Sequence, residues 1–215
     1  MTGFKTNTME ARLLVGKVKV LLDQEEPGTL KKLVEKMRPA DVADLIEHLG
    51  VGERIAIFQI LEPENAGDVL VEIEPPVRER LLRDLDNKAI SDIVTELDSD
   101  DAADLVGDLP EERAREVIET VGDDVSKELE KLLPFPEDTA GGIMALEFLA
   151  VKFDATVGDA VKTVREKGKE IESLYYIWVT DGFQRLVGVI SLKDLVLEPK
   201  DRNISDIMNP DVISL

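Results

Sequence analysis

Apolar residues recur at three- and four-residue spacing through about the first 130 positions, in short runs interrupted by Pro, Gly and Asp clusters. That period predicts short amphipathic helices. The runs also repeat. Ala43-Asp44-Leu45-Ile46 with Leu49 recurs as Gly67-Asp68-Val69-Leu70 with Ile73 and as Ala103-Asp104-Leu105-Val106 with Leu109, and a related copy, Ser91-Asp92-Ile93-Val94 with Leu97, lies between them. Asp44, Asp68 and Asp92 stand 24 residues apart and Asp104 follows 12 later, the length of one or two short helices with their turns. Each unit has one apolar stripe that only its neighbours can cover, so stacked helical hairpins are expected. Pro39, Pro63, Pro75-Pro76 and Pro110 stand where a first helical turn or an inter-helix turn tolerates a missing N–H. Leu133-Pro134-Phe135-Pro136 cannot continue a helix, which puts the end of this domain near residue 135.

Beyond it the pattern shifts. A strand is expected near Phe148-Leu149-Ala150-Val151 and a helix from about Thr156 to Lys167. Two short apolar runs follow, Leu174 to Thr180 and Leu186 to Ser191, flanking the hairpin signal Asp181-Gly182, with a further helix from Leu192. The order is β-α-β-β-α. After Asn203 a second copy of this unit is expected to start, with Ile204-Ser205-Asp206-Ile207-Met208 leading into Val212-Ile213-Ser214-Leu215, and to be cut short there.

Composition narrows the chemistry. Aromatics make up 4% of the chain, so its cores must be built from Leu, Ile, Val and Ala, which suits packed helices. Cysteine is absent, which excludes disulfides and Cys-ligated zinc. With 46 acidic against 26 basic residues the formal net charge is −20, which argues against nucleic acid and anionic membrane and in favour of cations, or of solubility alone. No stretch approaches the roughly 18 consecutive apolar residues of a membrane span, and Met1 to Glu10 lacks a signal-peptide core. The expectation is a soluble region, compatible with being one end of a membrane protein.

The element order and Gly188-Val189-Ile190-Ser191-Leu192-Lys193-Asp194 resemble a CBS domain, a module that works in pairs. The helical repeat, then Pro136-Glu137-Asp138-Thr139-Ala140-Gly141-Gly142-Ile143-Met144, Tyr175-Tyr176-Ile177-Trp178-Val179 and the start of a second copy resemble the cytosolic part of the MgtE magnesium channels, over about residues 25 to 215. The acidic-Thr-Ala-Gly-Gly-Ile-Met junction is the most specific piece, because flagellar motor switch proteins carry a similar superhelix. The resemblance implies a mainly α, right-handed superhelix of short repeats followed by an α+β CBS domain. Its divisions are an N-terminal helix or extension at 1–24, an acidic superhelical domain at 25–135, a first CBS domain at 136–200 and a truncated second copy at 201–215. It further implies a homodimer through the CBS domains, at the cytoplasmic face of the cell membrane, attached to a transmembrane pore C-terminal to these residues.

In that family Mg²⁺ joins acidic surfaces of the superhelix and the CBS pair and shuts the pore. Asp92, Glu96, Asp98, Asp100, Asp101, Asp104 and Asp108 form the densest acidic run here, without one Lys or Arg, and Asp100 and Asp104 are spaced to share a helix face. The family's metal contacts fall on Asp68, Asp100 and Asp104, and their partner carboxylates are expected mostly beyond Leu215. The alternative is that these aspartates are solvated helix faces or caps at repeat boundaries, as their recurrence at Asp44 and Asp92 suggests. Some members also bind ATP, and the matching positions are Tyr176, Lys193 and Asp194; the alternative is that Tyr176, as is more often the case, is core or hairpin packing and that Asp194 caps the following helix. His48 has no Cys or second His near it, Gly141-Gly142 lacks the Gly-Lys-Ser/Thr of a phosphate loop, and Trp178 reads as packing. No nucleophile, base and orienting residue group together, so no enzyme is expected. The leading expectation is a Mg²⁺-sensing regulatory region, against an adenine-nucleotide-sensing CBS module or a motor-type scaffold.

Overall fold

Prolines occupy the first position of several helices of the repeat. The computed structural model describes residues 9–24, 26–169, 171 and 174–214. The first eight residues of the expected N-terminal extension, and Leu215, lie outside them. The chain divides into two compact units between Ile143 and Met144.

The first unit is helical. It contains α1 (Met9–Asp23), α2 (Pro27–Val34), α3 (Pro39–Glu47), α4 (Val51–Phe58), α5 (Pro63–Glu72), α6 (Pro75–Asp84), α7 (Asn87–Val94), α8 (Ser99–Gly107), α9 (Glu111–Thr120) and α10 (Asp123–Leu132). Pro27, Pro39, Pro63 and Pro75 occupy the first position of their helices, where no N–H is needed. Asp86 accepts from the Ala89 N–H at 2.7 Å and caps α7. Glu53 reaches back to the Gly50 N–H at 2.6 Å and steadies the start of α4.

Packing follows the repeat. Beyond α1 and α2, helices contact the next but one, α3 with α5, α5 with α7 and α7 with α9 in one layer, α4 with α6 and α8 with α10 in the other. The positions after each repeated aspartate form the core. Leu45, Ile46, Leu49, Val69, Leu70, Ile73, Ile93, Val94, Leu105, Val106 and Leu109 are all buried. The position before the aspartate stays small because the layer closes over it. At Gly67 a Cβ would lie 2.8 Å from Leu97 Cδ2. Two arginines tie helix ends together. Arg54 donates to the Ile46, Leu49 and Glu47 carbonyls, and Arg113 to the Leu82 and Leu85 carbonyls and to Asn87 Oδ1. These are carbonyls that a helix C-terminus leaves without intrahelical donors.

After α10 the chain folds back. The Gly142 and Ile143 N–H groups both donate to the Thr139 carbonyl, and the Thr139 hydroxyl to the Pro136 carbonyl at 2.7 Å. A Cβ at Gly142 would lie 2.2 Å from that Pro136 oxygen, so only glycine fits there. This junction belongs to the helical unit, and the division therefore falls eight residues after the proline-based boundary.

The second unit contains β1 (Ala150–Lys152), α11 (Val157–Lys167), β2 (Tyr176–Thr180), β3 (Leu186–Ser191) and α12 (Leu192–Leu197), the β-α-β-β-α order read from the pattern. The sheet order is β1-β2-β3, with β1 parallel and β3 antiparallel to β2. One face is core, built on Val151, Ile177, Val179 and Ile190 with Val157 and Ala160 of α11. On the other, Tyr176 and Trp178 are 58% and 38% exposed. The β2–β3 hairpin places its left-handed residue at Gln184, φ 62°, and not at Gly182. Asp181 anchors that loop by accepting the Phe183 and Arg185 N–H groups, at 2.8 and 3.0 Å. The segment expected to open a second copy packs onto this unit. Ile204 is fully buried in its core, Val157 N–H donates to the Arg202 carbonyl, and Asn209 pairs with Val189 of β3. The apolar pattern of 204–208 serves that packing.

Candidate functional site

Helix α8 carries carboxylates from end to end. Asp100 and Asp101 lie in its first turn, where the positive end of the helix dipole favours them. Asp104 follows one turn later and Asp108 caps the C-terminus, so Asp100, Asp104 and Asp108 succeed one another at i, i+4 and i+8 on one stripe. The opposite stripe, Ala102, Ala103, Leu105 and Val106, is buried, and this fixes which way the acids point. At the C-terminal end the dipole disfavours a carboxylate. There Arg78 of α6 donates Nε–H to Asp108 Oδ2 at 2.7 Å, with both side chains largely buried at 14% and 18% exposure.

Asp104 is half-buried and its carboxyl is held above the usual carboxylate range. Burial is the largest cause, the Glu137 carboxylate comes next, and Asp100 and Asp108 add to it, while Arg78 opposes them. Glu137 arrives from the folded-back junction, stationed by the turn around Thr139 and Gly142. Sequence reasoning missed it as a site residue, although it heads the most specific motif in the chain. Arg78 carries no such signal, being 30 residues from its partner.

The structure thus brings Asp100 and Asp104 together, with Asp108, Glu137 and Arg78. Asp68 is exposed on α5. Asp92, at the edge of the acidic run, is bonded to Lys88 at 2.7 Å. Among the described residues, no three Asp, Glu, His or Cys side chains converge tightly enough to hold a metal by themselves. The arrangement suits a hard divalent cation that keeps several of its waters and is attracted by net charge. The donors are carboxylate oxygens, the ligand type that suits hard cations such as Mg²⁺, Ca²⁺ and Mn²⁺.

In the second unit Tyr176 stands opposite Ser191 in the strand register, and Lys193 and Asp194 open α12 directly after it. All three candidate residues are exposed at one end of the sheet. The Ser191 hydroxyl donates to Asp194 Oδ2 at 2.6 Å and accepts the Asp194 N–H at 3.1 Å, so Asp194 is engaged in capping α12. Among the described residues no helix is long and apolar enough to cross a membrane.

Comparison with known proteins gives a consistent picture. Residues 37–138 match the family model of the MgtE intracellular N domain and residues 140–201 that of the CBS domain. The magnesium transporter MgtE of Thermus thermophilus is 29% identical over 208 residues, 95% of this chain and 46% of that protein. The chain therefore spans about half the length of that curated relative. A crystal structure of the cytosolic domain of the Mg²⁺ channel MgtE in complex with ATP superposes with a TM-score of 0.86 at 28% identity, covering 93% of this chain and 82% of that one. A second, of the soluble part of a magnesium transporter, gives a TM-score of 0.81 at 26% identity, covering 93% and 79%.

Proposed function

Because this chain belongs to the MgtE family, we propose that it is the cytosolic Mg²⁺-sensing region of a magnesium transporter or channel. The observation that carries this reading is the half-buried Asp104, surrounded by Asp100, Asp108 and Glu137, with a single arginine that is already bonded to Asp108. Unrelieved carboxylates at such density repel one another, and a divalent cation relieves the repulsion without shedding all its water.

When Mg²⁺ is abundant it bridges this face, with Asp68 as an outlying contact, to carboxylates of the CBS region, and the compact state that results closes the pore. When Mg²⁺ falls, like charges separate the surfaces. The ion acts only through its higher affinity for the compact state. The pore, CBS-mediated homodimerisation and the cytoplasmic face of the membrane belong to the same proposal, and the region has no catalytic role in it.

The test is a thermal titration of the chain. Mg²⁺ is expected to raise the unfolding temperature as the logarithm of its concentration above the dissociation constant, and NaCl at equal ionic strength to do less. Identical stabilisation by the two salts would reduce the face to a screened surface patch. In the whole transporter, replacing Asp100 and Asp104 with Asn is expected to shift the Mg²⁺ inhibition curve, which an unchanged curve would refute.

A second reading adds nucleotide binding at Tyr176, Lys193 and Asp194. It is favoured by their meeting at one end of the sheet and by the relative solved in complex with ATP. Calorimetry with ATP on a chain carrying a full CBS pair tests it.

A further inference from the structure

One basic residue is set into the acidic face. Arg78 reaches from α6 to the C-terminus of α8, and its pair with Asp108 is largely buried, whereas the neighbouring Lys88–Asp92 pair is 79% and 50% exposed. Salt screens the exposed pair and hardly reaches the buried one. Arg78 is also the positive charge that acts on Asp104 against Glu137, Asp100 and Asp108.

We propose that Arg78 is a built-in counter-ion that sets the concentration at which this face takes up a divalent cation. The proposal rests on the reading of the face as a Mg²⁺ site and adds its regulation. Without the ion, Arg78 neutralises the carboxylate that the helix dipole disfavours most, so the helical unit folds with its acids in place. With the ion arriving, the same guanidinium repels it. Arg78 thereby keeps the face from saturating at low cation concentration.

Two substitutions should act in opposite directions. Arg78→Gln makes the face more negative by one charge and should tighten Mg²⁺ binding. Asp108→Asn leaves the guanidinium without its carboxylate beside Asp104 and should weaken it. One unit charge at about 8 Å in water changes the affinity for a dication by roughly threefold to sixfold. A bridge that served only to fasten α6 to α8 would behave differently. Cutting it from either side removes the same contact, so both variants would shift any Mg²⁺ response in the same direction or leave it in place.

The experiment titrates Mg²⁺ against thermal unfolding of the chain at constant ionic strength, for the parent, Arg78→Gln, Asp108→Asn, the double variant and Arg78→Lys. The expected result is a several-fold lower midpoint concentration for Arg78→Gln and a several-fold higher one for Asp108→Asn. The charge-balanced double variant and Arg78→Lys should lie near the parent. A responding parent with shifts of one sign, or none, overturns the counter-ion role and leaves the Mg²⁺ reading standing. A parent without Mg²⁺-specific stabilisation withdraws both. Should Arg78→Gln fail to fold, Asp108→Asn and Arg78→Lys decide the matter, because the first must weaken binding and the second must not.

Discussion

Replacing Asp104 with Asn keeps the shape of the side chain and removes its charge. In the folded protein that charge is disfavoured by burial and by Glu137, Asp100 and Asp108, only partly offset by Arg78. Folding therefore favours the protonated carboxyl. Between the unfolded value, about 3.9, and the raised folded value, the native state binds more protons than the unfolded one, so stability falls as pH rises through that window and is flat above it. Asn has no such dependence. Below the window the two proteins should be equally stable, and above it the Asn variant should be the more stable. Because Asp104 retains solvent contact, screening limits the gain to a few tenths to about 1 kcal/mol. For a unit of this size that is roughly 1–4 °C in Tm. Adding Mg²⁺ should reverse the order. At about one hundred times the dissociation constant the parent gains about 2.7 kcal/mol, and the variant, short of one ligand charge, gains less. The assay is differential scanning calorimetry at pH 3 and pH 7, with and without Mg²⁺. An Asn variant no more stable than the parent at pH 7 without Mg²⁺, or equally responsive to it, would refute the reasoning.

Three further outcomes are expected. Gly142→Ala places a Cβ against the Pro136 oxygen and Glu137 Cα, both backbone, and should cost about 1–3 kcal/mol in denaturant unfolding while weakening the Mg²⁺ response through displacement of Glu137. Arg113→Ala leaves the Leu82 and Leu85 carbonyls without their donor and should destabilise the helical unit by about 1–3 kcal/mol, which urea titration would register. Ser191→Ala removes the cap of α12 at a cost of about 1 kcal/mol, and Asp194→Ala should do the same and also weaken ATP in a chain with a full CBS pair; calorimetry separates the two variants.

Much of the fold was legible because its causes are local. The repeat at Asp44, Asp68, Asp92 and Asp104 marked the core directly, since the apolar residues that follow each aspartate are the ones the layers bury. Prolines at first helical positions gave the starts of α3, α5 and α6. Less was legible where a distant contact decides. Ile204, read as the start of a further copy, is core of the second unit, and the hairpin puts its left-handed turn at Gln184 because Asp181 captures two backbone N–H groups and spares Gly182 that role. The site divides in the same way. Asp100 and Asp104 were visible as neighbours on a helix, but Glu137 and Arg78 reach them from sequence distances of about 30 residues, and no local rule pairs residues so far apart.

The scarcity of aromatic residues has a spectroscopic consequence. Trp178, Tyr175 and Tyr176 are the chain's whole complement of indole and phenol chromophores, and all lie in the second unit, while among the described residues ten of the twelve α-helices lie in the first. Intrinsic fluorescence therefore reports the sheet-containing unit, and far-ultraviolet circular dichroism reports mainly the helical one. The protein carries a separate optical label on each unit. Melting curves recorded by both signals would coincide if the units unfold together and part if they do not, and the gap between them would measure how strongly Mg²⁺ couples one to the other.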